Sequence, residues 1–205
     1  MVLKGQYLER PALVAAGDVT LEGLYHRGDR APPLLLCPPP FAGGGMDAPA
    51  LAEMAWASAR AGHPSLRFQH RGAGGSQGVF DPSRAIGDAE AALCHLAESA
   101  GSPRVAVAGL GAGCETALAL ARARPEIARV VLVAPERLPS EAPRAAVLAL
   151  LPEIGAAVRT DDLGPLLAPA GGRAEVVPGA DPLFQAGLPL VGRLAVEWIE
   201  AGGAR

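Results

Sequence analysis

Short apolar runs alternate along the chain with stretches in which apolar residues recur every three or four positions. The runs predict strands, at residues 33–37, 65–68, 104–108, 128–133, 145–151 and 174–177. The stretches between them predict helices, at residues 48–61, 83–100, 114–124, 162–167 and 188–201. Upstream of these elements, residues 3–27 predict two or three short strands with a turn at Gly17-Asp18.

This order of elements predicts the class of fold. Strands that alternate with helices form a mostly parallel sheet with right-handed crossovers. We therefore expect a doubly wound α/β protein with an antiparallel start, and a single domain over residues 1–205, since no repeat or linker divides the sequence. Ligands bind such sheets at the carboxyl ends of the strands. That places the loops of interest at residues 38–46, 70–78, 109–113, 152–159 and 179–185.

Composition and charge narrow the classes of function. The 205 residues are 50% hydrophobic but only 4% aromatic, so Ala, Val and Leu must fill the core. The net charge is −3 and the basic residues do not cluster, which argues against nucleic acid as a partner. No apolar run is long enough for a membrane span or a signal peptide. Lysine occurs once, at Lys4, and the bias toward Arg, Ala, Gly and Pro indicates a GC-rich genome.

The cysteines predict a cytoplasmic location. Cys37, Cys94 and Cys114 are odd in number and lie within apolar segments. Buried unpaired thiols are typical of a reducing compartment, so we expect all three to be structural. The histidines are scattered without the spacing of metal ligands. No metal and no other cofactor is predicted.

Five segments carry a family resemblance, in the family's order and over nearly the whole chain. They are Leu-Glu-Gly-Leu-Tyr-His at 21–26, Leu-Leu-Leu-Cys-Pro-Pro-Pro-Phe-Ala-Gly-Gly-Gly-Met at 34–46, Leu-Arg-Phe-Gln-His-Arg-Gly-Ala-Gly-Gly-Ser-Gln-Gly at 66–78, Val-Ala-Val-Ala-Gly-Leu-Gly-Ala-Gly at 105–113 and Val-Val-Pro-Gly-Ala-Asp at 176–181. Together they resemble the short α/β-hydrolases related to dienelactone hydrolase. The resemblance implies an α/β-hydrolase fold without a large lid domain and, in active relatives, ester hydrolysis by a Ser-His-acid triad.

The same resemblance shows that the triad is missing. Active relatives carry the nucleophile in a Gly-x-Ser-x-Gly turn, and here that position is Gly111. The base of the relatives follows a Gly-Ala-Asp sequence, and here that position is Pro182. The acid position aligns best with Ala156, although a shifted register gives Glu153. Acyl transfer needs a nucleophile, a base and an acid, so we predict that the chain has lost serine-hydrolase activity.

The backbone features of the pocket remain. The resemblance assigns an oxyanion hole to the amides near Phe41 and at Ala112, and a helix that begins near Gly113 would point its positive end at the same place. We therefore predict a pseudoenzyme that binds a small acyl-type or anionic ligand, or a protein partner such as a second copy of the chain. The residues expected at the ligand are Phe41, Gly111, Ala112, Gly113 and His70.

Two alternatives stay open. An unconventional ester or thioester hydrolase would use Cys37, Cys114, Ser76 or His70, although no acid partner for the histidine is visible in the sequence. A nucleotide-binding module would use the glycine-rich turn at 109–113. That motif, Gly-x-Gly-x-x-Gly, has Cys114 where its last glycine belongs, and the expected ribose-binding acid is displaced to Glu136 beyond the strand end.

Overall fold

The computed structural model describes residues 9–41 and 45–202. Its strands are β1 (Arg10–Ala16), β2 (Val19–His26), β3 (Leu34–Cys37), β4 (Ser65–Phe68), β5 (Ala106–Leu110), β6 (Arg129–Val133), β7 (Ala146–Pro152) and β8 (Arg173–Val177). Its α-helices are α1 (Pro49–Arg60), α2 (Ala85–Ala100), α3 (Gly113–Ala123), α4 (Thr160–Leu167) and α5 (Leu188–Glu200). Short 3₁₀ turns lie at Pro82–Arg84 and Ala168–Ala170.

The strands form one eight-stranded sheet in the order β1-β2-β4-β3-β5-β6-β7-β8. The pairs β1–β2 and β2–β4 are antiparallel, and every later pair from β4 to β8 is parallel. Parallel strands need crossover connections, which contain helices except between β6 and β7, where a loop makes the connection. The predicted fold class, a doubly wound and mostly parallel sheet with an antiparallel start, is confirmed.

The central strands are buried on both faces, which is why their sequences are continuously apolar. Along β3, Leu35 and Cys37 belong to the core beneath α2, α3 and α4, whereas Leu34 and Leu36 belong to the core beneath α1 and α5. This alternation follows from the two-residue period of a strand. Two layers of helices therefore cover a single sheet, with α1 and α5 on one face and the other three helices on the opposite face.

The fold creates a crevice between two adjacent strands. The chain leaves β3 toward α1 on one face, whereas it leaves the neighbouring β5 toward α3 on the opposite face. The loops after β3 and β5 therefore diverge at the carboxyl edge of the sheet. Such switch points are where open α/β sheets bind ligands.

Some predictions were wrong in detail. The strand β5 extends to Leu110, so the turn before α3 is shorter than the predicted turn over residues 109–113. Cys94, predicted to be buried, is exposed on α2, and Ile86 on the same helix is 47% exposed. Both lie on the solvent side because α2 buries only the face that contains Ala89 and Leu93. Residues 3–8 of the predicted N-terminal strands fall outside the described residues.

Candidate functional site

A cleft of about 530 Å³ opens where the loops after β3 and β5 diverge. Its volume falls within the range of small-molecule binding sites. Proline, alanine, glycine and leucine form most of its lining, and among the described lining residues only Glu136 and Gln185 have polar side chains. Three of the predicted ligand residues, Phe41, Gly111 and Ala112, lie in this lining together.

The turn after β5 forms the floor of the cleft. Gly111 has a φ of +54°, in the left-handed region that favours glycine, and its amide donates a hydrogen bond to the carbonyl of Val133 at 2.9 Å. Gly113 is buried at the start of α3, and a Cβ there would overlap the carbonyl oxygen of Cys37. The turn is therefore tight, with a left-handed glycine at the position predicted for the nucleophile.

The position predicted for the base lies in the lining of the cleft, whereas the positions predicted for the acid do not. Pro182 lines the cleft. The residue that faces it is Gly155, where a Cβ would lie 3.4 Å from Cγ of Pro182. Ala156 is exposed and outside the cleft lining, and Glu153 directs its Oε2 to the amide of Gly179 at 2.7 Å. A side chain at Gly155, one residue before the aligned Ala156, would therefore contact Pro182.

The two amides expected in an oxyanion hole differ in availability. The amide of Phe41 donates a hydrogen bond to the carbonyl of Pro39 at 3.0 Å, so the loop after β3 uses it internally. The amide of Ala112, in the turn before α3, has no hydrogen-bond acceptor among the described residues. Residues 42–44, which follow Phe41, lie outside the described part of the chain. Of these two amides, only that of Ala112 is without an acceptor among the described residues.

His70 lies beneath the loop after β3 and outside the cleft lining. Its Nε2 is 3.3 Å from the carbonyl oxygen of Pro38, and its Nδ1 is 3.7 Å from Oδ2 of Asp88. Asp88 is fully buried and accepts hydrogen bonds from Nε and an Nη of Arg71 at 2.9 and 2.7 Å. Burial raises the pKa of the Asp88 carboxyl, but the contacts with His70 and Arg71 outweigh this effect and lower it to about 2.

Asp88 is the acid partner of His70 that the sequence reasoning missed. It lies on the buried face of α2, together with Ala85, Ala89 and Ala92. A buried aspartate is uncommon unless it is paired, so an aspartate on the apolar face of a predicted helix was the available signal. This cluster holds the loop after β3 in place. His70 contacts the loop at the carbonyl of Pro38, and Asp88 binds Arg71, the residue next to His70 in the chain.

The other candidate nucleophiles are also held inside the protein. Cys37 and Cys114 are buried, and burial raises the pKa of Cys37 to about 12 and that of Cys114 likewise well above its ordinary value. The Cys114 thiol donates to the carbonyl of Gly109 at 3.2 Å. Ser76 donates to the carbonyl of Gln69 at 3.0 Å. Reactive cysteines need a stabilised thiolate, so these thiols fit structural roles.

Glu136 is the one charged side chain in the described lining of the cleft. In the sequence Glu136 stands beyond the end of a predicted strand, displaced from the position expected for a ribose-binding acid. In the structure β5 and β6 pair in parallel, so the residues that follow Leu110 and Val133 meet. A Cβ on Gly111 would lie 3.1 Å from Oε1 of Glu136, which puts the carboxylate directly over the turn.

The described residues contain no group of three or more His, Cys, Asp or Glu side chains that could hold a metal ion. None of their helices is both long enough and apolar enough to cross a membrane.

No protein-family model and no curated protein matches this sequence. Solved structures do match. An α/β serine hydrolase homologue from Coxiella burnetii is 21% identical, with a TM-score of 0.74 over 92% of this chain and 96% of that one. Dienelactone hydrolase from Anabaena variabilis is 21% identical, with a TM-score of 0.76 over 96% and 98%. A lidless α/β serine hydrolase from Xanthomonas campestris is 19% identical, with a TM-score of 0.75 over 95% and 94%.

These likenesses show that the chain has the α/β-hydrolase fold. They span more than nine-tenths of the chain. The resemblance predicted from the five sequence segments is therefore confirmed at the level of the fold.

Proposed function

We propose that this protein is a non-catalytic member of the α/β-hydrolase fold that binds a small, largely apolar molecule in the cleft above Gly111. The observation that carries the proposal is the pairing of a glycine at the elbow with a proline across the cleft. Gly111 has no side chain to attack a carbonyl, and Pro182 has no group to accept a proton.

The rest of the cleft does not replace the missing groups. Its described lining contains no hydroxyl, thiol or imidazole group. His70 and Ser76 form hydrogen bonds with backbone groups outside it, and the two buried cysteines lie below the turn. A nucleophile must come within hydrogen-bonding distance of both its base and the reacting carbon, and the described residues offer no such pair.

The lining favours an alkyl or acyl chain as the bound group. Apolar surface removed from water contributes about 25 cal/mol per Å², and the walls of the cleft are mainly carbon. An anion is the less favoured ligand, because the Glu136 carboxylate lies over the turn where the anion would bind. A protein partner, including a second copy of the chain, would enter the cleft past Phe41 and Leu183, which are 47% and 66% exposed at its rim.

The loss of activity is tested with short p-nitrophenyl esters and a fluorophosphonate probe. We expect no turnover above the buffer blank and no covalent labelling, because no hydroxyl group of the described residues lines the cleft. Saturable turnover that survives repeated purification would disprove the proposal. Cys37→Ala, Cys114→Ala and His70→Ala would then show which group carries it.

Binding is tested with hexan-1-ol, a neutral six-carbon probe, in a ¹H–¹⁵N NMR titration. We expect the amides of Gly111 and Ala112 to shift in the wild-type protein. Ala157→Phe places a ring in the cleft and should abolish the shifts, whereas Ala123→Phe on the exposed end of α3 should not. Shifts that persist in Ala157→Phe would place binding elsewhere.

We keep the cytoplasm as the proposed location of the protein, since the three thiols are unpaired.

A further inference from the structure

We infer that the cleft selects a ligand with a cationic head group, a primary ammonium on an apolar chain, which the carboxylate of Glu136 binds. This inference rests on the proposed function, because it names the chemistry of the same cleft.

The position of the carboxylate carries the inference. Glu136 follows β6, and Gly111 is hydrogen bonded to the last residue of that strand, Val133. This connection holds the two loops side by side and brings Oε1 of Glu136 to 3.1 Å from where a Cβ of Gly111 would stand. A ligand that reaches the floor of the cleft therefore meets the carboxylate at the position where a hydrolase would carry its nucleophile.

The carboxylate has no protein cation to neutralise it. No described Lys, Arg or His nitrogen lies within 4.0 Å of Glu136, and the adjacent Arg137 instead pairs with Glu115 at 3.5 Å. The positive end of α3 lies near the same turn, but it is equivalent to only about half an elementary charge. A net negative charge of about one half therefore remains at the floor.

The Glu136 side chain is exposed to solvent, so its charge acts where the apolar lining of the cleft meets water. Hydrogen bonds between ionised partners are about twice as strong as neutral ones. An ammonium group would gain such bonds with Glu136, and its apolar chain would cover the proline and alanine side chains above. A carboxylate group would be repelled, although the free amide of Ala112 would attract it.

The test compares hexylammonium, hexan-1-ol and hexanoate, which differ in head group but not in chain length, by NMR titration of the full chain at neutral pH. We expect hexylammonium to bind the wild-type protein about threefold more tightly than hexan-1-ol, as expected for an exposed ion pair, and hexanoate to bind most weakly. Glu136→Gln should bring hexylammonium and hexan-1-ol to equal affinity. Glu98→Gln, which removes the same charge from an exposed site on α2, should leave the order unchanged.

The outcomes separate this inference from the proposed function. If hexan-1-ol binds but hexylammonium binds no more tightly, or if Glu136→Gln keeps the preference, the selection by charge is overturned and the apolar site stands. If none of the three ligands shifts Gly111 or Ala112, both proposals fail. Should Glu136→Gln not fold, the wild-type series decides, and its preference for hexylammonium must then weaken with added salt as expected for an ion pair.

Discussion

The loops after β4 and β5 leave the same edge of the sheet on either side of β3, yet their chemistry is opposite. The loop after β4 carries His70 and Arg71, which lie against the fully buried carboxylate of Asp88. The turn after β5 carries Gly111, which has no side chain and faces an open cleft. The first loop contains groups that could perform chemistry but no space for a substrate, and the second contains space but no such groups.

The contrast between the two loops shows how burial decides the role of a polar residue in this fold. A buried charge is costly unless it is paired and hydrogen bonded, and the bonds that satisfy Asp88 also occupy it. Its low pKa therefore reports a structural ion pair and not a catalytic acid. An accessible cleft with an unpaired carboxylate, as at Glu136, is instead suited to binding.

Thiol reactivity gives the sharpest test of accessibility around the cleft. We expect Cys94 to react rapidly with iodoacetamide, while Cys37 and Cys114, beneath the turn, react slower by a factor of about 10³ or more, because they need an opening of the fold. Mass spectrometry should show one modified cysteine in the native protein and three after denaturation. Cys94→Ala should remove the rapid reaction. Rapid labelling of Cys114 in that variant would support the alternative in which this thiol is catalytic.

The buried cluster should show the largest effect on stability. Asp88→Asn removes the charge that Arg71 and His70 face, and breaking a buried ion pair from one side typically costs about 3–5 kcal/mol. We expect about 3 kcal/mol, since Arg71 still reaches solvent. Urea unfolding followed by circular dichroism would measure the change.

The matched control for that variant is Glu98→Gln, which neutralises an exposed carboxylate on the same helix. It should change the free energy of unfolding by no more than about 0.5 kcal/mol. A loss below about 1 kcal/mol in Asp88→Asn would contradict the view that this cluster is the structural one of the two regions.

The same carboxyl predicts how stability depends on pH. Because the folded state lowers the pKa of Asp88 from 3.8 to about 2, its contribution is complete above about pH 4 and is lost as the pH falls toward 2. The loss is about 2 kcal/mol, at 1.36 kcal/mol per pKa unit. Urea unfolding at pH 5 and pH 2.5 should show the gap between wild type and Asp88→Asn narrowing in acid. A constant gap would mean that another group carries the acid sensitivity.

The sequence predicted the fold and much of the cleft because both depend on local signals. The continuous apolar run at 34–37 and the glycines of the turn after β5 fix a buried strand and a tight turn. Asp88 meets His70, and Glu136 meets Gly111, because elements that are distant in the sequence become neighbours in the fold. The spacing of residues along the chain does not encode these contacts. The availability of each backbone amide, as at Phe41, likewise depends on the path of its loop.

The smallest expected effect belongs to Gly111→Ser. A non-glycine residue at a φ of +54° costs about 1 kcal/mol, and the new Cβ needs only a small shift of the Glu136 carboxylate, the flexible end of a side chain. Gly111→Ala should cost the same, which separates strain from any effect of the hydroxyl.

This variant should remain inactive on p-nitrophenyl esters, because a serine hydroxyl is a weak nucleophile without a neighbouring base. The informative comparison adds Pro182→His with an acid at one of two positions. Gly155→Asp places the acid where the structure faces Pro182, and aspartate tolerates a positive φ better than most residues. Ala156→Asp places it on the exposed neighbour. We expect ester hydrolysis only in the triple variant with Gly155→Asp, whereas robust hydrolysis by Gly111→Ser alone would mean that His70 reaches the cleft as a base.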